Sequence, residues 1–207
     1  MNPPALLLAF VAAAVVVIIT PGMDTALVLR TSAAEGWRRG VQATVGVVLG
    51  CLAWGTSVAL GLGAILVASH DAYTVVKFAG AAYLAWLGLN LLLRPRQSIV
   101  IGASAPAGGR FGPLRRGLAC NLLNPKAGVF YVSFLPMFVP HGWPVAATLF
   151  GLCLAHVVLS FAWLSAIALA TVPLGKLFAR KGVVRWLDRV TGSVFLAFSA
   201  RLALTER

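Results

Sequence analysis

Acidic residues are scarce in this chain of 207 residues, which contains 17 lysines and arginines but only five aspartates and glutamates. Charged residues of both signs make up 11% of the sequence, whereas apolar residues make up 60%. Soluble domains are about one-quarter charged, so this balance excludes an ordinary soluble protein. Because the basic residues flank long apolar runs, they indicate membrane boundaries and not a nucleic-acid-binding surface.

Cysteine and histidine are also few, with three residues of each type. The cysteines are odd in number and all lie within apolar runs, which argues against a disulfide framework. Only His156 lies deep in an apolar run, and the loops are neither His-rich nor acidic, which argues against a metal-ion exporter. The sequence contains no Gly-x-Ser-x-Gly or His-Glu-x-x-His motif, so it indicates neither an intramembrane enzyme nor a cofactor.

Six apolar runs are long enough to cross a bilayer. They cover approximately residues 5–29, 41–68, 73–93, 117–139 and 145–172, and the last run ends near Leu204. The segment 97–112 mixes Gly, Ser, Ala and Pro with little periodicity, which predicts a flexible loop. We therefore predict an all-α integral membrane protein with a single transmembrane domain over residues 1–207. Its two halves cover about 1–96 and about 113–207.

Lysine and arginine are distributed unevenly between the loops. With the N-terminus outside, the loops after spans 1, 3 and 5 and their flanks hold 13 of the 17 basic residues, and the two outer turns hold none. The positive-inside rule therefore predicts that both termini lie outside the cell, with Ser104 in the cytoplasm and His141 outside. Because each half has three spans, the halves have opposite orientations, which predicts a 3+3 inverted repeat.

Two helix breaks near the midplane interrupt the first and fourth spans. Thr20-Pro21-Gly22-Met23-Asp24 and Asn121-Leu122-Leu123-Asn124-Pro125-Lys126 place prolines and opposite charges at membrane depth. The pairs Thr20-Pro21 and Asn124-Pro125 each match an N-cap followed by a first helical residue, which predicts that a half-helix starts at each break. Gly22 allows the backbone to approach a ligand closely. Asn121 is placed to bond with carbonyls that the second break frees.

Asp24 and Lys126 are expected to share one chamber. At the helical rise, Lys126 lies about 15 Å and Asp24 about 9 Å from the cytoplasmic ends of their spans. Asp24 has two interpretations: it is a site for a substrate ammonium or a proton, or it is a structural group that pairs with Lys126 or contacts a helix end. Lys126 is in turn either the structural counter-ion of Asp24 or an anchor for a substrate carboxylate.

Two further candidate residues have alternatives that the sequence leaves open. His156, in the middle of span 5, is either a proton relay or the partner in an interhelical hydrogen bond. Tyr131 in span 4 either lines a cavity or packs as an ordinary aromatic residue. Asp188, between Arg185 and Arg189, is expected to form an ion pair at the surface. The candidate substrate-binding or coupling residues are Asp24, Lys126, Pro21, Gly22, Asn121, Asn124, Pro125, Tyr131 and His156.

At these motifs the sequence resembles the LysE/RhtB family of amino acid exporters, and the resemblance covers essentially the whole chain. It rests on the stretches 20–24, 77–88 and 121–127 and on Pro136-Met137-Phe138. The chain also departs from the family pattern. The family usually has Pro-Gly-Pro in the first span, where this chain has Met23 in place of the second proline. It often has glutamine where this chain has Met137.

The resemblance implies a six-span inner-membrane exporter of an amino acid or amino acid derivative, coupled to proton entry. The implied partners are the small-molecule substrate, protons and the lipid bilayer, with no nucleic acid, and a homodimer is allowed. A neutral or small polar substrate is favoured over a basic one, because Asp24 is accompanied by Lys126 and by no second intramembrane acid. The alternative that remains open is an exporter of divalent metal ions or other small solutes with the same architecture.

Overall fold

The computed structural model describes residues 3–68, 70–95, 109–140 and 142–204, excepting the side chains of 62–68, 70–73, 76 and 77. Ser104 and His141, and most of the loop 97–112, lie outside the described residues. The all-α class is confirmed for the described residues, which contain no strand. Their α-helices are α1 (Pro3–Ile19), α2 (Met23–Glu35), α3 (Trp37–Ala68), α4 (His70–Leu93), α5 (Gly112–Leu122), α6 (Pro125–Val129), α7 (Val145–Leu169), α8 (Thr171–Phe178) and α9 (Lys181–Leu204).

Two of the described helices are individually long and apolar enough to cross a membrane. They are α3, over Trp37–Gly61, and α7, over Val145–Leu169. The pair α1–α2 meets the same criterion jointly but is bent by 50° at its break, so it forms a broken span or a re-entrant loop. A shorter apolar stretch, Phe78–Leu93, lies in α4. Length and composition of the described helices thus support two or three spans, and six spans stay a prediction.

The break predicted in the first span is present, but its N-cap differs from the prediction. The N-cap of α2 is Gly22, which has an extended backbone (φ −138°, ψ −159°) and makes no side-chain capping bond. Thr20 instead continues α1, because its amide donates to the carbonyl of Val16 at 3.1 Å. The Thr20 hydroxyl also donates to that carbonyl and meets the hydroxyl of Thr191 on α9. Pro21 therefore lies in the connection and does not start α2.

The break in the fourth span has the predicted cap. Asn124 is the N-cap of α6, its side-chain oxygen accepts a hydrogen bond from the amide of Lys126 at 3.1 Å, and Pro125 starts the helix. Beyond α6 the chain forms a π-helical turn over Phe130–Phe134 and a 3-10 turn over Leu135–Phe138, which the sequence analysis did not predict. Pro136 within the 3-10 turn has no amide to donate, so a regular α-helix cannot continue through it.

Glycines bring α3 and α5 into close contact. A Cβ atom on Gly46 would lie 2.0 Å from the carbonyl oxygen of Leu114, and one on Gly50 would lie 2.6 Å from Oδ1 of Asn121. In the sequence, Gly46-Val-Val-Leu-Gly50 has the small-xxx-small spacing that predicts close helix approach, and these contacts confirm that prediction. α7 also packs against α3. Helix α3 therefore forms the centre of the described structure, and its contact with α5 holds Asn121 beside the first break.

The second half contains two features that the sequence analysis missed. A short separate helix, α8, joins α7 to α9, where a loop was expected. Asp188 on α9 is fully buried, so its predicted location at the surface is wrong. The reason is that α9 packs against α4 and also contacts α1, and Asp188 shares one face of α9 with the buried Gly192 and Phe195. Thr191, one turn later on α9, is buried as well.

Candidate functional site

A cavity of about 60 Å³ lies where the two helix breaks meet. Its polar wall comes mainly from the breaks, through Thr20, Gly22, Asp24, Asn121, Asn124 and Lys126. The other walls are largely apolar and come from α1, α3, the π-helical turn and α7, through Val17, Ile18, Val47, Phe130 and Leu164. At about 10–15 Å³ for each water, the cavity has room for about four to six water-sized atoms.

Asp24 lies in the first turn of α2, where the helix dipole favours a negative charge. Its Oδ2 accepts hydrogen bonds from Nδ2 of Asn121 and Nδ2 of Asn124, both at 3.0 Å. Its Oδ1 is buried and has no hydrogen-bond partner, and the same holds for Oδ1 of Asn121. Buried polar atoms are nearly always paired. Oδ1 of Asn121 faces Gly50 of α3, whereas Asp24 lines the cavity, so its unpaired Oδ1 indicates a place where a hydrogen-bond donor binds.

Lys126 binds the other side of the first break. Its Nζ donates to the carbonyl oxygen of Val17 at 2.6 Å and to that of Thr20 at 2.8 Å. In a regular helix the carbonyl of Val17 would accept from the amide of residue 21, but Pro21 has no amide hydrogen. The lysine replaces that donor and places a positive charge at the C-terminal end of α1, where the dipole favours it. Asp24 and Lys126 thus each lie at the helix end that stabilises their charge.

His156 lines the cavity from the middle of α7 and is 6% exposed. Its Nδ1 lies 2.7 Å from the hydroxyl oxygen of Tyr131, and its ring packs on that of Phe130 with centroids 4.4 Å apart. When the phenol donates this hydrogen bond, the imidazole is neutral and carries its proton on Nε2. The structure therefore contains the interhelical hydrogen bond that was one interpretation of His156, while its role as a proton relay stays a prediction.

The structure brings most of the candidate residues to the cavity wall. Those that line it are Gly22, Asp24, Asn121, Asn124, Lys126 and His156. Pro21 and Pro125 shape the breaks beside the cavity without lining it, and the fully buried Tyr131 lies behind His156.

Sequence reasoning missed several lining residues, among them Thr20, Thr25, Cys51 and Ser160. Ser160 follows His156 by four residues in one helix, so the helical period could have identified it. Thr25 directly follows Asp24, so its place in the cavity lining could have been suspected from the sequence. Cys51 carried no comparable signal, because it faces the cavity only through the packing of α3 between α5 and α7.

Comparison with known proteins gives a consistent family assignment. Residues 15–206 match the family described as LysE type translocator. The chain is 32% identical over 204 residues to the leucine efflux protein of Klebsiella pneumoniae. This alignment covers 96% of this chain and 95% of that protein. It is 26% identical over 204 residues to the threonine efflux protein of Escherichia coli (strain K12), covering 93% and 94% of the two chains. No solved structure gives a significant match.

Proposed function

Since the chain belongs to the LysE type translocator family, we propose that it exports a neutral amino acid or amino acid derivative across the bacterial inner membrane in exchange for protons. The observation that carries this proposal is the unpaired, buried Oδ1 of Asp24 on the wall of the cavity. The relatives named above are efflux proteins and not enzymes, and their names refer to neutral amino acids.

The cavity suits the charged head of an amino acid. The substrate ammonium donates to Oδ1 of Asp24, the buried carboxylate oxygen without a partner. The substrate carboxylate lies at the start of α2, because Gly22 caps this helix without a side-chain bond and its first amides point towards the break.

The lining also favours a neutral substrate side chain. Asp24 is the single acid among the residues that line the cavity, and the substrate ammonium occupies it. A second cation on the substrate side chain would be buried without a counter-ion, which costs several kcal/mol. The largely apolar lining away from the breaks instead favours burial of an aliphatic side chain.

Exchange of substrate for protons follows from the single free oxygen of Asp24. This oxygen binds either the substrate ammonium or a proton, so the two ligands exclude each other. Either ligand neutralises the carboxylate, and a neutral site crosses between the inward-open and outward-open states at a lower cost than a buried charge. Substrate therefore leaves in one direction as protons enter in the other.

The proposed architecture has six spans in a 3+3 inverted repeat. The repeats cover about 1–96 and 113–207, the loop 97–112 lies in the cytoplasm, and both termini lie outside. In support, both breaks contribute to one cavity, which is where inverted-repeat transporters bind substrate. The pairs α1–α2 and α5–α6 are the equivalent broken helices of the two repeats.

Export from membrane vesicles that carry the purified protein tests this proposal. The vesicles are loaded with a panel of amino acids, and a pH gradient is imposed. We expect export of neutral amino acids by the wild type and none by Asp24→Asn, which keeps the shape of the side chain but removes the charge and the proton site. Asp71→Asn changes a carboxylate near the start of α4 and serves as the matched control. Export of divalent metal ions alone would replace this proposal with the metal-exporter alternative.

A double variant separates a functional Asp24 from a structural one. Lys126→Met removes the donor to the end of α1, so it should lower stability and weaken export. If the two charges only stabilise each other, Asp24→Asn with Lys126→Met should restore a folded and active exporter. A double variant that is folded but inactive supports the proposed role of Asp24, whereas normal export by this variant contradicts it.

A further inference from the structure

Three residues of α7 form one stripe along the cavity. His156, Ser160 and Leu164 all line it and follow one another at intervals of four residues, so they lie on the same face of the helix. Eight residues of helical rise separate the first from the last, which is about 12 Å. The three side chains are 6%, 5% and 5% exposed, so almost all of their surface is buried in the protein. We call these three residues the α7 stripe.

The α7 stripe changes in polarity along its length. His156 is polar and held in place, because Tyr131 hydrogen-bonds its Nδ1 and Phe130 packs on its ring. Ser160 adds a small hydroxyl one turn later, and Leu164 adds an aliphatic side chain one turn beyond that. A ligand that lies along this stripe thus meets a hydrogen-bonding group before an apolar one.

The groups that bind the amino acid head lie on other elements. Asp24, Asn121 and Asn124 come from α2, α5 and the cap of α6, and none of them comes from α7. When the ammonium and carboxylate are bound at the breaks, the substrate side chain extends towards the remaining walls. These walls are the α7 stripe and its apolar neighbours Val47 and Ile18.

We propose that Ser160 and Leu164 are the specificity-determining residues of this site, and that they select among neutral side chains by hydrogen bonding and by length. Leu164 closes the apolar end and limits the length of the side chain. Ser160 offers a hydrogen bond that a hydroxylated side chain uses and an aliphatic one does not. This inference rests on the proposed function, because it requires that the amino acid head binds at Asp24.

Export by mixed-substrate vesicles tests the assignment, with the wild-type protein and the variants loaded with leucine, threonine and phenylalanine together. Ser160→Ala should lower the ratio of threonine to leucine export about fivefold, the effect of one lost hydrogen bond. Leu164→Ala should raise the ratio of phenylalanine to leucine export about tenfold, since it lengthens the apolar end. The total amount of protein in each vesicle preparation is measured alongside.

Matched controls lie on outward faces of α7 and of its neighbour α3. Val158 on α7 is 66% exposed, and Ser57 on α3 is exposed, so Val158→Ala and Ser57→Ala should leave both ratios unchanged. Because Leu164→Ala also removes packing, Leu164→Met is the second variant. Methionine conserves the volume but is unbranched, so this variant, assayed with methionine added to the substrate mixture, should raise the ratio of methionine to leucine export relative to the wild type.

The outcomes separate the two proposals. Shifted ratios in the variants at Ser160 and Leu164, with unchanged ratios in the controls, support the assignment. Unchanged ratios in all variants of the α7 stripe, with a wild type that exports amino acids, overturn it and leave the proposed function standing. A wild type that exports no amino acid contradicts the proposed function itself.

Discussion

Alanine at Gly46 should force α5 away from α3. The new Cβ would lie 2.0 Å from the carbonyl oxygen of Leu114 and 2.8 Å from the amide nitrogen of Leu118. Both atoms belong to the backbone of α5, so neither can rotate away as the end of a side chain can. Ordinary contact begins at 3.4 Å, so α5 must move by about 1.4 Å, the difference between 3.4 and 2.0 Å.

The expected cost follows from two opposing effects. Overpacking against a rigid neighbour costs about 3 kcal/mol, at the upper end of the usual range. Alanine is a better helix former than glycine by about 1 kcal/mol, which offsets part of that cost. The net loss of about 2 kcal/mol lowers the folding equilibrium constant about 30-fold. For a chain of this size it should lower the melting temperature by about 4–8 °C.

The same shift should also affect export. Nδ2 of Asn121 on α5 donates to Oδ2 of Asp24 at 3.0 Å, and this bond orients the carboxylate in the cavity. If α5 moves by more than 1 Å, the two atoms pass beyond hydrogen-bond distance. Gly46→Ala should therefore reduce the export rate for each folded molecule, in addition to the amount of folded protein.

Gly151 on α7 provides the matched control, because a Cβ there would meet no atom within 4 Å. Gly151→Ala should raise stability by about 1 kcal/mol, the gain in helix propensity alone. Melting curves of the detergent-solubilised protein and initial export rates from vesicles give the two readouts. A Gly46→Ala variant that melts at or above the wild-type temperature would refute the argument from the backbone contact.

Three further predictions address other contacts. Glu35→Gln removes the carboxylate at the end of α2 that pairs with an arginine of α5, where the two side chains are 17% and 24% exposed, and should cost about 1 kcal/mol in a melting experiment. Tyr131→Phe leaves the imidazole of His156 without its partner and should lower the free energy of unfolding by about 1–3 kcal/mol. The double variant Tyr131→Phe with His156→Phe should recover most of that loss, so equal melting temperatures of the two variants would contradict the hydrogen bond. Cysteines placed at Ser104 and His141 should be labelled from the cytoplasm and from outside, respectively, and the reverse pattern at both would contradict the proposed orientation and the inverted repeat.

Local patterns in the sequence were enough to locate both helix breaks and the cap of the second. Proline, glycine and ionisable residues within apolar runs are local signals, and the Asn124-Pro125 cap is formed by atoms only two residues apart. The glycine spacing on α3 likewise predicted a close helix contact, because glycines four residues apart always lie on one face of a helix. The sequence also predicted that Asp24 and Lys126 share one chamber, and both line the cavity.

The partners of these residues were decided by the tertiary structure. Thr20 does not cap α2, because its amide donates to a carbonyl of α1 and its hydroxyl contacts the hydroxyl of Thr191 on α9. Lys126 donates to a carbonyl 109 residues earlier in the chain, one that is unpaired only because Pro21 follows four residues later. The neighbouring arginines in the sequence predict that Asp188 lies at the surface, but packing of α9 against two helices buries it. Local rules state which groups need a partner, and only the packing of distant segments determines which group supplies it.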